Sequence, residues 1–167
     1  MARLPIWTIF TPAQRTFLTT AANPVAASSF GSKELTRLVK DMSETMKKSN
    51  GVGLAAPQVG KNMRLAIISR QADPSLRHDL VLINPKIRQA NGGTERDEEG
   101  CLSIPGVFGI VARPAHIELD AFDVTGEKFS LAASGLLARV IQHEVDHLNG
   151  TLFLDRVEQI TQGSEKL

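Results

Sequence analysis

The chain has 167 residues, of which 42% are hydrophobic and 22% charged, and these values are typical of one ordinary globular domain. The formal net charge of +1 excludes the strong basic excess of a dedicated nucleic-acid-binding protein, and no stretch approaches the roughly 18 apolar residues of a membrane span. A single cysteine excludes an internal disulfide framework and is typical of a reducing compartment.

The N-terminal fifth of the chain lacks a clear periodic pattern. Residues 1–31 are rich in proline and small side chains, so we expect an extended arm with loops. The pattern changes at residues 32–49, where apolar side chains recur at helical spacing among lysines and glutamates. Ser32 is suited to cap the start of this helix, and Asn50 is suited to end it.

The middle of the chain has the pattern of strands. We predict short strands at Arg64–Ser69, Leu80–Asn84, Lys86–Ala90, Gly109–Arg113, His116–Val124 and Lys128–Ala132. The polar residues 91–100 are expected to form a turn or loop, and residues 125–127 a hairpin turn. Helical spacing returns at residues 135–149, and residues 151–160 are expected to add one more strand or turn. Strands bracketed by two helices favour an α+β domain over an alternating α/β one.

The strongest chemical signal lies in the second predicted helix. His143 and His147 are four residues apart, so both imidazoles lie on one helix face and can reach a single metal ion. Glu144 lies about 100° around the helix, close enough to take a proton from a metal-bound water without binding the metal. Leu136 and Val140 continue the face of the histidines, which predicts that the imidazoles point inward. The pattern indicates metal-assisted hydrolysis; the alternative is a solvated helix face that carries these residues by chance.

A metal site of this kind needs a third protein ligand. No further histidine follows the motif, so the ligand is expected upstream, with the downstream carboxylates of Asp155 and Glu158 as alternatives. His78 and His116 are also candidates, but each is isolated in the sequence. Cys101 is the best candidate, because a thiolate and two imidazoles leave a fourth position open for water. A lone cysteine taken by itself is more often an inert buried side chain.

A glycine-rich segment at residues 51–60 is the second chemical signal. Its spacing matches a dinucleotide-binding fingerprint, but the segment follows a predicted helix and contains Pro57, and both features disfavour that interpretation. Exposed backbone groups in such a segment are suited to pair with an extended peptide. Gln58 would then carry a side-chain amide suited to stabilise an oxyanion, whereas a plain turn with a surface glutamine is the alternative.

Three segments together resemble the peptide deformylase family. They are Gly51–Gln58 (Gly-Val-Gly-Leu-Ala-Ala-Pro-Gln), Glu99–Ser103 (Glu-Gly-Cys-Leu-Ser) and Gln142–Leu148 (Gln-His-Glu-Val-Asp-His-Leu). The resemblance extends from about residue 35 to residue 156 and weakens in the first thirty residues. All three family motifs are intact and in order, and this set is far more specific than the histidine motif alone.

The resemblance implies a fold as well as a site. We expect a single α+β catalytic domain over residues 1–167, in which small antiparallel or mixed β-sheets pack around a central metal-binding helix. Residues 1–31 would form an extended N-terminal arm, and residues 157–167 a short polar tail. That tail hardly supplies the basic C-terminal helix by which some bacterial members of the family dock on the ribosome.

The implied activity is that of a metal-dependent hydrolase in protein biosynthesis. It would remove the N-formyl group from N-formylmethionyl nascent polypeptides, an N-terminal processing step that releases formate. The metal ligands implied by the family motifs are Cys101, His143 and His147. Metal-bound water would attack the formyl carbon, with Glu144 as general base and then as proton donor to the leaving amine. Gln58 and the backbone N–H of Leu102 would stabilise the oxyanion.

The same resemblance implies residues around the reacting atoms. Glu99 would pair with Arg113 and brace the cysteine loop. The peptide would add as a strand beside Val52 and Gly53. Its methionine side chain would enter a pocket lined in part by Leu136, Val140 and the imidazole of His143.

The expected cofactor is one divalent metal ion. A thiolate with two imidazoles suits Fe²⁺, Zn²⁺, Ni²⁺ or Co²⁺, and iron rests on the resemblance alone. The expected partners are N-formylmethionyl peptides and nascent chains, with transient contact to the ribosome and without dedicated nucleic-acid or membrane binding. Because formylated chains arise in bacteria and in organelles of bacterial descent, we expect the bacterial cytoplasm, with an organellar or phage-encoded origin as the alternative.

Two other functions fit parts of the pattern. A metal-dependent endopeptidase would use the same helix, but the longer protease motif has a third histidine where this chain has Phe153. A structural metal domain or peptide-binding module would need a fourth protein ligand and would give Glu144 no role. Cys101 and Glu144 together favour the deformylase interpretation.

Overall fold

The computed structural model describes residues 2–164, which form three α-helices and one sheet of six strands. The helices are α1 (Pro12–Leu18), α2 (Lys33–Lys48) and α3 (Gly135–Leu148). The strands are β1 (Gly53–Ala55), β2 (Leu65–Ile68), β3 (Leu80–Cys101), β4 (Ile104–Phe122), β5 (Lys128–Ser134) and β6 (Val157–Gln162). None of the helices within this range is long and apolar enough to cross a bilayer. The arrangement confirms the predicted α+β class.

All strand pairs described in the sheet are antiparallel. Strands β1 to β5 lie side by side in chain order, and β6 pairs with β4 off that path. Strand β1 lies at the edge, where it pairs with β2 from Gly53 opposite Ile68 to Ala55 opposite Ala66. Its other side has no strand partner within residues 2–164, and such an edge is a template for an added strand.

Helix α3 lies at the centre of the fold. Eleven of its fourteen residues are buried, and it packs against β1, β2, β4 and β5. The core between this helix and the sheet includes Ile68, Leu82, Leu119 and Ile141. A second core between α2 and the first two strands includes Met42, Met46, Leu54 and Leu65. The two amphipathic helices predicted from apolar spacing therefore bury their apolar faces as expected, and Ser32 caps α2 by accepting a hydrogen bond from the Leu35 N–H.

The prediction of a turn or loop at residues 91–100 is wrong. These residues continue β3 and pair with β4, from Asn91 opposite His116 to Gly100 opposite Phe108. Residues 91–98 are exposed, so their polarity reflects contact with solvent along a long hairpin and not a break in the backbone ladder. The adjacent Gly92 and Gly93 instead form a bulge, and both have a φ angle of +78°.

The two terminal segments also differ from the expectation. Within the predicted extended arm, Pro12–Leu18 forms α1, because proline suits the first helical turn and Leu18 is fully buried. The strand or turn expected at residues 151–160 is confirmed at residues 157–160, where β6 begins. The strand continues to Gln162 within the predicted polar tail, because β4 supplies partners for its backbone groups. Met1 and residues 165–167, which belong to the predicted arm and tail, lie outside the described residues.

Candidate metal centre

Three side chains able to bind a metal converge beside α3. Cys101 ends β3, whereas His143 and His147 lie one turn apart on the helix. One ligand atom of each residue lies within 4.8 Å of the others, and Cys101 Sγ is 3.2 Å from His147 Nε2. The two imidazole centroids are 5.0 Å apart. The packing of α3 against the sheet thus brings a thiol to an imidazole that is 46 residues away in sequence.

The other candidate ligands lie elsewhere. His78 is exposed in the connection between β2 and β3, and His116 is exposed on β4. The Asp155 carboxylate accepts a hydrogen bond from a backbone N–H in its own 3-10 turn, and Glu158 forms an ion pair on β6. Within residues 2–164, none of these four joins the cysteine and the two imidazoles.

The donor set fits a divalent cation of borderline softness. His147 is only 1% exposed, yet its Nδ1 has no hydrogen-bond partner within residues 2–164. Because Cys101 Sγ lies against the other ring nitrogen, the deprotonated forms of the three groups would direct lone pairs at one another. A bound cation would accept these lone pairs, so the residues present are suited to hold one.

The charges around the thiol favour its ionised form. Burial by itself raises the pKa of Cys101, but the electrostatic attraction of His147 and the hydrogen bonds from both imidazoles outweigh burial and lower the pKa to about 5. Burial by itself lowers the pKa of His143, whereas its hydrogen bonds to Cys101 and Glu99 raise the pKa to about 10. The thiolate is the metal-binding form of cysteine, so the site is prepared for a cation.

A buried chain of ion pairs orients the imidazole of His143. Glu99 Oε2 lies 2.9 Å from His143 Nδ1, and the same carboxylate accepts hydrogen bonds from Arg113 Nε at 2.6 Å and Arg139 Nη1 at 2.8 Å. The other side of Arg113 donates to Asp146 at 2.8 Å. Burial by itself raises the pKa of Glu99, but Arg113 outweighs it and holds that pKa far below its usual range. The ionised carboxylate therefore fixes the ring that turns its Nε2 to the metal site.

Glu144 lies beside this group with an unpartnered oxygen. The residue is 3% exposed, and its Oε2 has no hydrogen-bond partner within residues 2–164. Burial raises the pKa of its carboxyl. The backbone of Gly53 passes so close that a Cβ atom there would meet Glu144 Oε1 and would lie 2.8 Å from Glu144 Cδ. A buried carboxyl with a raised pKa and a free oxygen is suited to accept and return a proton.

Gln58 is buried, so the alternative of a plain turn with a surface glutamine is wrong. Its Oε1 accepts a hydrogen bond from the Ala55 N–H at 2.9 Å, and its Nε2 donates to Ser103 Oγ at 3.1 Å. The same Nε2 lies 3.5 Å from Cys101 Sγ. Leu102 follows the cysteine and lines the same cavity as Gln58. The amide is therefore held rigidly next to the candidate metal ligands.

A cavity of about 460 Å³ opens onto these groups. The predicted substrate-binding residues that line it are Val52, Gly53, Leu136, Val140 and His143. Val140 is buried, whereas Val52 and Leu136 are 41% and 50% exposed and form part of its rim. Together with the unpaired edge of β1, this apolar rim is suited to an extended peptide whose first side chain is apolar.

Sequence reasoning missed three residues of the site. Arg139 and Asp146 extend the predicted Glu99–Arg113 pair, and Ser103 holds the amide of Gln58. A signal for the first two was present, because they lie four residues before and three residues after His143 and so share its helix face. The role of Ser103 had no such signal, since it depends on the fold of two distant segments.

Comparisons with known proteins point to one family. The family model of polypeptide deformylase matches residues 7–163. The peptide deformylase of Picosynechococcus sp. is 51% identical over 125 residues, which cover 75% of this chain and 67% of that protein. The chloroplastic/mitochondrial peptide deformylase 1B of Arabidopsis thaliana is 45% identical over 125 residues, which cover 75% of this chain and 46% of that protein. The matched stretch thus spans about half to two thirds of these two relatives.

A solved structure extends the likeness to three dimensions. The Met-Ala-Ser-bound peptide deformylase of Acinetobacter baumannii has a TM-score of 0.86 and 35% identity, over 93% of this chain and 99% of that one. Nothing in these comparisons supports the endopeptidase alternative, and Phe153, at the position of the third protease histidine, is buried in an apolar core. Because the family model matches most of the sequence, the chain belongs to the polypeptide deformylase family.

Proposed function

We propose that this protein removes the N-formyl group from N-formylmethionyl peptides and nascent chains and releases formate. One observation carries the proposal: the unpartnered, buried carboxyl of Glu144 lies beside a Cys/His/His group at a cavity that meets an unpaired strand edge. In this reaction water adds to the formyl carbon, the carbon–nitrogen bond breaks, and the free amino group of methionine leaves.

Cys101, His143 and His147 would hold the divalent cation, and Fe²⁺ is proposed on the family resemblance, with Zn²⁺, Ni²⁺ and Co²⁺ as ions that the same donors suit. When bound, the cation would lower the pKa of a water molecule and polarise the formyl carbonyl. The Glu99 carboxylate keeps His143 in the tautomer that offers Nε2, because it occupies Nδ1.

Glu144 would move the proton. Its raised pKa makes it a better proton acceptor than an exposed carboxylate, and its free Oε2 leaves room for a water molecule. The carboxyl would take a proton from the attacking water and return it to the leaving amine. Since the cavity is open to substrate but the carboxyl itself is buried, the proton stays on Glu144 between the two steps.

Gln58 and the backbone N–H of Leu102 would stabilise the negative oxygen that forms on the formyl carbon. Two hydrogen bonds hold the Gln58 side chain before substrate arrives, so its Nε2 needs no reorganisation during the reaction. Removal of one such donor lowers kcat by about 10²–10³-fold in other enzymes.

The substrate would enter as an added strand along β1, beside Val52 and Gly53. Its methionine side chain would occupy the part of the cavity lined by Leu136, Val140 and His143. The Acinetobacter relative carries Met-Ala-Ser, and such a peptide is the product expected from a formylated tripeptide. The close approach of the Gly53 backbone to Glu144 would favour a formyl group over a bulkier acyl group, by no more than about 1–3 kcal/mol.

The relatives are named as bacterial and as chloroplastic or mitochondrial proteins, and we propose a compartment in which formylated chains are made, the bacterial cytoplasm or an organelle of bacterial descent. Nascent chains place the enzyme near the ribosome, so we propose transient ribosome contact.

The test is anaerobic formate release from formyl-Met-Ala-Ser, with metal analysis on the same preparation. We expect stoichiometric metal and formate release, and no cleavage of an internal peptide bond in a blocked peptide. Arg15→Gln, an exposed change on α1 outside the cavity, is the matched control. Metal-loaded protein that releases no formate, or that cleaves the internal bond, would refute the proposed function.

A further inference from the structure

A second groove continues from the cavity at the candidate metal centre. It encloses about 970 Å³ between α2 and the connection from β2 to β3. Asn50 and Gly51 line both the groove and the cavity, so the two form one path over the surface. The proposed function uses the cavity but not the groove.

The groove carries an excess of positive charge. Lys40, Arg70 and Arg77 line it, are exposed, and form no ion pair with any group of residues 2–164. Its two carboxylates are already paired, since Asp79 binds Lys47 at 2.8 Å and Glu44 binds a lysine on its own helix at 2.9 Å. Three free cations exceed the formal charge of +1 for the whole chain, so the remainder of the molecule is net acidic.

The direction of an added peptide follows from the burial around β1. Leu54 and Ala55 are fully buried, so a peptide that begins at Gly53 cannot continue over them. It must instead pass Val52, Gly51 and Asn50 in turn, antiparallel to β1. Asn50 lies three residues before Gly53, at most about 11 Å along the chain, and three residues of an extended peptide rise about 10 Å. With methionine opposite Gly53, the fourth residue of the peptide therefore comes level with Asn50. Residues from the fourth onward therefore reach the groove.

We propose that the groove lined by Lys40, Arg70 and Arg77 binds acidic side chains at the fourth and later residues of formylated chains, an inference that rests on the proposed function. The contact is electrostatic and solvent-exposed, so it selects among substrates without taking part in the chemical step. It would give acidic N-terminal segments a higher kcat/KM, mainly through KM.

A peptide fits this groove better than a nucleic acid does. The groove is continuous with the cavity for the formylated end, and no Phe or Trp side chain lines it as a stacking platform for bases. The net charge of +1 for the chain also lacks the excess that phosphate binding requires.

The experiment compares three substrates on the metal-loaded protein: formyl-Met-Ala-Ser, and the same tripeptide extended by three glutamates or by three lysines. We expect kcat/KM for the glutamate peptide to exceed that for the lysine peptide about fivefold at low salt. In about 1 M salt, where the Debye length is about 3 Å, the ratio should approach one. The double variant Arg70→Gln/Arg77→Gln should lower the low-salt ratio to below about twofold. Arg15→Gln, on α1 and outside both cavities, should leave it at the wild-type value.

The outcomes distinguish failure of the groove proposal from failure of the proposed function. The tripeptide ends at Gly51, at the edge of the groove, and carries no acidic side chain, so failure to release formate from it refutes the proposed function. The proposal that the groove binds acidic side chains is overturned by equal kcat/KM values for the two extended peptides. It is also overturned if the ratio of these values is unchanged in Arg70→Gln/Arg77→Gln. Fluorescence anisotropy of labelled, unformylated hexapeptides measures binding without turnover. Equal affinity for the glutamate and lysine forms would overturn the groove proposal as well. Tight binding of a single-stranded RNA oligonucleotide in place of the acidic peptide would assign the surface to nucleic acid and overturn it too.

Discussion

The close approach of Gly53 to Glu144 makes a specific prediction for Gly53→Ala. The new Cβ would meet Glu144 Oε1 and would lie 2.8 Å from Glu144 Cδ and 2.8 Å from Val140 Cγ1. Carbon atoms in favourable contact are about 3.5 Å apart, so the carboxyl must move by at least about 0.7 Å. The strain is not in the backbone, because Gly53 lacks the positive φ that would itself exclude alanine.

We expect Gly53→Ala to lower kcat for formyl-Met-Ala-Ser by about 10²-fold, because a displacement near 1 Å in a reacting group has that effect. Overpacking should also lower the free energy of unfolding by about 1–3 kcal/mol. The assay is steady-state formate release, with metal content and thermal unfolding measured on the same sample. Metal content should stay at the wild-type value, because the three atoms nearest to the new Cβ belong to Glu144 and Val140 and not to a candidate ligand.

Gly93→Ala is the matched control. Gly93 lies in the exposed hairpin bulge, and a Cβ atom added there would have no neighbouring atom within 4 Å. Only its φ of +78° therefore penalises alanine, by roughly 1–2 kcal/mol of stability. Its kcat should equal that of the wild type. A Gly53→Ala protein that keeps its metal and turns over at the wild-type rate would refute the assignment of Glu144 as the proton carrier.

Three further predictions concern the candidate ligand Cys101, the proton carrier Glu144, and the carboxyl of Asp79 that pairs with Lys47 on α2. Cys101→Ala should weaken metal retention by at least about 10²-fold, measured by elemental analysis after dialysis, because two imidazoles alone remain. Glu144→Gln should keep its metal but lose about 10²–10⁴-fold in kcat for formate release, because an amide accepts no proton. Burial by itself raises the pKa of Asp79, but hydrogen bonds from Lys47 and Ser43 outweigh it and lower the pKa. The contribution of Asp79 to the free energy of unfolding is therefore present above about pH 4 and is lost as the pH falls through the lowered pKa. Urea unfolding should show a loss of less than about 1 kcal/mol. Asp79→Asn should not show this loss.

Each of these has a result that contradicts it. Full metal occupancy in Cys101→Ala would remove the thiol from the ligand set, and Cys101→Ser tests whether a weaker oxygen ligand restores part of the retention. Wild-type kcat in Glu144→Gln would exclude a proton-transfer role for that side chain. Identical pH dependence of unfolding in Asp79→Asn and the wild type would show that the Lys47 and Ser43 contacts contribute nothing to stability.

Local sequence patterns predicted those elements whose stabilisation is local. The apolar spacing of α2 and α3 predicted both helices, because apolar side chains at a 3.6-residue period share one face only when the backbone is helical. The pair His143 and His147 was predicted to share a face for the same reason, and the structure brings their rings to 5.0 Å. The start of α2 at Ser32 followed from capping chemistry within one turn.

Predictions failed where polarity was taken as evidence of irregular backbone. Residues 91–100 form strand despite their charges, since a β-ladder satisfies backbone groups and leaves side chains free to face solvent. The predicted polar tail joins the sheet for the same reason, since the strand expected up to residue 160 continues to Gln162. In both segments the partner strand is β4, so an element outside each segment decided its structure.

The chain's own residues determined which chemistry was available: one thiol, two imidazoles at helical spacing, and a carboxyl beside them. Tertiary structure alone decided that Cys101 Sγ lies 3.2 Å from His147 Nε2, that Glu144 Oε2 is left without a partner within residues 2–164, and that Gln58 is buried. These facts depend on contacts between elements far apart in sequence, since 46 positions separate Cys101 from His147 and 45 separate Gln58 from Ser103. A motif records side-chain identity and spacing within one element, whereas distance between elements follows from how the whole chain buries its apolar surface.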